Sequence, residues 1–99
     1  MSYRIEYSRE AVDHLRGLSA RQRSIVLDAV DEQLSYEPTV ETRNRKPMRP
    51  NPLAVYELRV GDLRVYFDVE EDPEAVVVVR AVGYKKGSSV YIGGEKVEV

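Results

Sequence analysis

The 99 residues suffice for one small domain, 1–99, with a single core. Fifteen Lys and Arg against seventeen Asp and Glu leave a net charge of −2, which argues against a general nucleic-acid binder, and the absence of cysteine excludes disulfides, thiolate metal sites and a cysteine nucleophile. No apolar run reaches membrane-spanning length and MSYRIEY is charged without an apolar signal-peptide core, so the expectation is a cytoplasmic chain with no membrane partner.

In chain order, Tyr3, Ile5 and Tyr7 alternate with Arg4 and Glu6 as in a half-buried strand. Ser8 is a candidate N-cap for a helix through Ala11, Val12, Leu15 and Leu18, with Gly17 near its end. Ser19-Ala20-Arg21-Gln22 fits a capping box. The helix it opens carries Ile25, Val26, Ala29, Val30 and Leu34 in one stripe and closes at Pro38. The single histidine, His14, reads as a surface helix residue. Thr39–Pro52, with three prolines and four basic residues, reads as a loop: a plain surface connector or a carrier of binding residues.

Leu53–Val69 alternates in polarity and folds back at Gly61-Asp62, where glycine supplies the positive φ of a two-residue turn. The register then sets Val60 against Leu63, Arg59 against Arg64, Leu58 against Val65, Glu57 against Tyr66 and Tyr56 against Phe67. One face is apolar; the other places two guanidiniums abreast. Like charges directly opposite destabilise a strand pair by up to about 1 kcal/mol, so the pair reads as an anion holder. The plainer reading leaves both arginines solvated or paired with Glu57 and Asp62.

Ala75–Val82 forms the next strand, covered over much of both faces. A three-residue turn before it would set Arg64 against Arg80 and make a row of three arginines; a one-residue slip would turn Arg80 to the helix side. Gly83–Gly87 reads as a basic bend, and Gly93-Gly94 as the turn of a hairpin between Ser89–Ile92 and Glu95–Val99. The fold class is α+β: an N-terminal strand, a helical hairpin on one sheet face, a three-stranded antiparallel meander and a C-terminal β-hairpin.

The ordered pieces RKPM, YELRVGDLRVYFDV and VVVVRAVGYKKGSSVY resemble the RelE/ParE toxin superfamily of type II toxin–antitoxin systems over residues 3–91. The likeness is greatest to the RelE-like branch, small endoribonucleases that cut mRNA in the ribosomal A site. The resemblance implies that Arg64 is the phosphate-binding arginine of the third strand and Arg59 the basic residue of the strand before it. It likewise matches Lys85 to the basic residue after Val-Gly and Tyr91 to the late tyrosine that meets the substrate. Glu57 stands where some relatives have lysine, and a Gly-Gly hairpin replaces the final helix of several.

For 2′-hydroxyl attack the proton steps fall to Glu57, Lys85, Lys46 or Tyr91. The working assignment makes Glu57 the base, Arg59 and Arg64 the phosphate holders, Lys85 the aid to the leaving oxygen and Tyr91 a stacking platform. Arg64→Ala is expected to abolish cleavage and leave the thermal midpoint nearly unchanged. Arg45, Lys46, Arg49, Arg80 and Lys86 are candidate RNA-binding residues. Implied partners are a cognate antitoxin, the ribosome and mRNA. The ParE branch offers DNA gyrase as an alternative target, and a third reading is a catalytically weak member bound by its antitoxin. No motif calls for a metal or cofactor.

Overall fold

β1 (Arg4–Tyr7) runs directly into α1 (Arg9–Arg16), and Ser8 makes the junction. Its hydroxyl oxygen accepts from the Ala11 N–H at 3.1 Å while the hydroxyl donates to the Arg80 carbonyl at 3.0 Å, tying the helix start to the sheet. The computed structural model describes residues 2–98. α2 (Ala20–Leu34) opens on the expected capping box: Gln22 N–H to Ser19 Oγ at 3.1 Å and Ser19 N–H to Gln22 Oε1 at 3.0 Å. Val26, Ala29, Val30 and Leu34 are buried, but Ile25 is exposed at the margin of the stripe, a correction to the sequence pattern.

Among the described residues seven strands form one sheet. Its main path runs β2 (Arg45–Pro47), β3 (Tyr56–Val60), β4 (Leu63–Glu70), β5 (Val76–Lys86), β6 (Ser89–Ile92) and β7 (Glu95–Val97). β5 pairs with β4 on one side. On its other side it takes β1 in parallel along Val76–Val79 and β6 antiparallel along Gly83–Lys86. The expected hairpin about Gly93-Gly94 is present through Val97; Val99 lies outside the described residues.

Both helices cover one sheet face. Ala11, Leu15, Val26, Val30 and Leu34 pack with Leu58, Leu63, Val65, Phe67, Val77, Val79 and Val82. Alternation along the strands sends Tyr66, Ala81 and Ile92 to the other face, where Met48, Leu53, Ala54, Val90 and Val97 close over them. The loop after β2 therefore folds back across the sheet. Asn51 holds it: Oδ1 accepts from Leu53 and Ala54 N–H at 2.7 and 3.2 Å, and Nδ2 donates to the Arg49 and Ala54 carbonyls at 2.6 and 3.1 Å.

Three sequence expectations are corrected. Thr39–Pro52 is not all loop, because Arg45–Pro47 pairs with Leu58–Tyr56; a three-residue edge strand ending in proline leaves no readable alternation. Gly83–Lys86 is not a bend but the end of β5. A Cβ on Gly83 would overlap the Tyr91 carbonyl, so glycine is what lets β6 approach. The row of three arginines does not form. A register shift after Tyr66 pairs it with Ala81 and Phe67 with Val79, skipping Arg80, and Arg64 faces Gly83.

Candidate functional site

The hairpin has the expected register. Gly61 adopts φ 60° in the turn, Val60 faces Leu63, Arg59 faces Arg64 and Glu57 faces Tyr66. Tyr66 packs in the cluster away from the helices, so Glu57, Arg59 and Arg64 share that face. β2 adds Lys46 directly opposite Glu57. Lys46, Pro47, Met48, Arg49, Glu57 and Arg59 line an open depression of about 460 Å³. Three cations, Lys46, Arg49 and Arg59, thus share the depression with one carboxylate, and Arg64 stands opposite Arg59 on the next strand.

The two arginines differ in their surroundings. Arg59 is half-exposed, and its Nε donates to Glu57 Oε1 at 3.0 Å; the Glu57 side chain is only 10% exposed. Arg64 is buried, and its Nη1 donates to the Gly61 and Leu63 carbonyls at 2.7 and 2.9 Å. Those bonds clamp the guanidinium to the turn and leave its other donors for an acceptor. A cation held in this way needs no reorganisation when an anion arrives. Arg59 is the adaptable member: a phosphate can compete with Glu57 for it.

Lys85 is exposed on the same face as Arg64, two residues beyond Gly83. Its backbone N–H donates to the Asp62 carbonyl at 2.7 Å, and its partner Val90 belongs to the far-side cluster. Four other candidates are not brought to this group. Arg45 is buried and turned to the helix side; its Nε donates to the Val40 carbonyl at 2.7 Å and its Nη1 to the Gln33 carbonyl at the end of α2. Burial pushes its pKa down, which suits a brace rather than a ligand-binding cation. Arg80, at the register shift, pairs with Asp68 at 3.0 Å. Lys86 alternates with Lys85 and leaves that face.

Tyr91 is the fourth. It stacks on Tyr84 with ring centroids 5.5 Å apart and lines a hollow of about 160 Å³ beside His14, Leu18 and Gly93, on the helix side of the sheet. His14 braces α1 against β5, its Nδ1 accepting from the Val82 N–H at 3.2 Å. Burial lowers its pKa, against the weaker opposing charges of Asp13 and Glu10.

Sequence reasoning did not single out Tyr66, and it read Thr39–Pro52 as a surface loop without placing it over the sheet. Tyr66 is fully buried opposite Glu57, and its hydroxyl has no hydrogen-bond partner among the described residues. Burial first, then the Glu57 charge and the nearness of that carboxylate to the phenol, raise its pKa well above the ordinary phenol value. The register already set it against Glu57. What the sequence hid was the lid of Met48, Leu53 and Ala54, for which the Pro-Asn-Pro turn chemistry about Asn51 was the available signal. Among the described residues no three His, Cys, Asp or Glu side chains gather as a metal site requires, and no helix is long and apolar enough to cross a membrane.

An N-terminal strand, two helices on one sheet face and an antiparallel meander with paired arginines on the other give this chain a RelE-like fold, the fold of a toxin from a toxin–antitoxin complex. The likeness that carries this is to a chain in the crystal structure of the toxin–antitoxin complex RelBE2 from Mycobacterium tuberculosis. The two are 25% identical with a TM-score of 0.72, and the match covers 86% of this chain and 100% of that one. No protein-family model and no curated protein matches the chain.

Proposed function

We propose that this chain is the toxin of a toxin–antitoxin pair, an endoribonuclease that cuts mRNA on the ribosome and is silenced by a cognate antitoxin laid over its basic face. The observation that carries the reading is the Arg59–Arg64 pair beside a largely buried carboxylate, at the edge of an open groove rimmed by Lys46 and Arg49. Guanidiniums meet phosphate oxygens bidentately, and the groove is open to solvent on the face that carries them. In the reaction the 2′-hydroxyl oxygen attacks the adjacent phosphorus and gives its proton to Glu57. Arg64 and Arg59 stabilise the charge that builds on the non-bridging oxygens. The P–O5′ bond breaks with proton donation from Lys85, leaving a 2′,3′-cyclic phosphate and a 5′-hydroxyl. Lys46 and Arg49 hold flanking phosphates.

The antitoxin half of the proposal rests on the complex in which the similar chain was solved, and on charge: an acidic segment would complement Arg59, Arg64 and Lys85. Purified ribosomes carrying a defined mRNA provide the test, with cleavage mapped by primer extension. Wild type is expected to cut, and Arg59→Ala and Glu57→Gln to cut roughly a hundredfold more slowly, the scale of losing one preorganised charge-stabilising or proton-transfer group. Intact mRNA together with inhibited supercoiling by DNA gyrase would instead put the chain with the ParE branch.

A further inference from the structure

The proton acceptor in this scheme sits in an ion pair with a residue that must also bind phosphate. When Arg59 turns to a phosphodiester, Glu57 loses its recorded partner. A carboxylate only 10% exposed needs another donor to stay aimed. Across the strand pair stands Tyr66, fully buried, with a hydroxyl near the Glu57 carboxylate that makes no hydrogen bond of normal geometry to any described residue. Its ring lies among Ala81, Ile92, Met48, Leu53 and Ala54, none of which offers a side-chain oxygen or nitrogen. A phenol kept dry at one end and unpartnered at the other costs stability unless it serves a second state of the site.

We propose that Tyr66 is the positioning residue for Glu57: its O–H donates to the carboxylate that Arg59 releases, and holds it ionised and oriented toward the 2′-hydroxyl. This rests on the ribonuclease reading for its purpose, but the hand-over of Glu57 from Arg59 to Tyr66 is a property of the protein alone. The phenol gains a bond, Arg59 exchanges a carboxylate for a phosphate, and no buried charge is left unpaired. Lys46 is the rival recipient, since it also stands opposite Glu57 from the neighbouring strand. The Met48–Ala54 segment contributes by keeping water from the phenol, which strengthens the bond once made.

Two measurements test this. The first needs no RNA. The tyrosine Fermi doublet in the Raman spectrum reports whether a phenol donates, and the Tyr66 contribution is isolated by subtracting the spectrum of the matching Tyr66→Phe protein. In wild type Tyr66 is expected in the unbonded form. In Arg59→Ala, where Glu57 has lost its partner, it is expected in the donor form. A doublet that stays unbonded in Arg59→Ala, as it would if Lys46 took the carboxylate, overturns the proposal. The second is the pH–rate profile of mRNA cleavage. Tyr66→Phe should move its acid limb up by about one pH unit while KM holds, because the bond to the ionised carboxylate is gone. An unmoved limb overturns the proposal as well. Absence of cleavage by wild type would remove the ribonuclease reading and leave the Raman result to decide the hand-over.

Discussion

At the scale of single residues, the arginines divide into holders and braces by what their guanidiniums touch. Arg64 does both, because the turn carbonyls of Gly61 and Leu63 accept from it on a buried face. Arg64→Ala is therefore expected to lose cleavage and also about 1–3 kcal/mol of stability, the cost of stranding buried acceptors. That departs from the unchanged midpoint that the sequence suggests, and urea denaturation of the variant measures it. Arg45 is a brace alone. Arg45→Met is expected to cost about 2 kcal/mol by the same measurement, with cleavage per folded molecule retained. Nothing in the sequence separates these two arginines. Arg45 stands in a basic run with Lys46, and only the pairing of β2 shows that one faces the helices and the other the groove.

Among the elements, the central hairpin was legible because its information is local: a glycine with positive φ and a two-residue loop set every pairing on either side. The β4–β5 register was not. It depends on one skipped residue at Arg80, and a single skip turns all later side chains to the other face. The same limit hid Tyr91, whose side of the sheet follows from β6 pairing with β5 and not from the Gly93-Gly94 turn. Gly83 holds that pairing together. Gly83→Ala is expected to cost about 1–3 kcal/mol through overpacking and to speed amide hydrogen exchange throughout Ser89–Ile92. At the helix starts the sequence reading held, since caps are short-range, while α2 ends at Leu34, short of the expected Pro38. Ser19→Ala should cost about 1 kcal/mol in thermal unfolding.

Over the whole molecule, one brace links helix layer and sheet through a titratable group. His14 accepts the Val82 N–H with Nδ1, and its folded-state pKa lies below the ordinary 6.5. The fold therefore favours the neutral ring. Its contribution is fully present above about 6.5 and is lost as pH falls through the lowered folded value. Thermal midpoints taken from about pH 7 down to about pH 5 should fall more steeply for wild type than for His14→Asn, which cannot titrate there.

Taken by itself, the order of residues determined most of the elements, the N-caps of both helices, the class of the fold and the facing of Arg59 against Arg64, and the pairing and caps depend on contacts within a turn or two of chain. Tertiary structure alone decided which basic residues share a face, which are consumed as braces, and that Tyr66 waits unpartnered beside Glu57. Those outcomes turn on long-range register and on a loop folding back over the sheet. There a shift of one residue reverses the side to which every following side chain points.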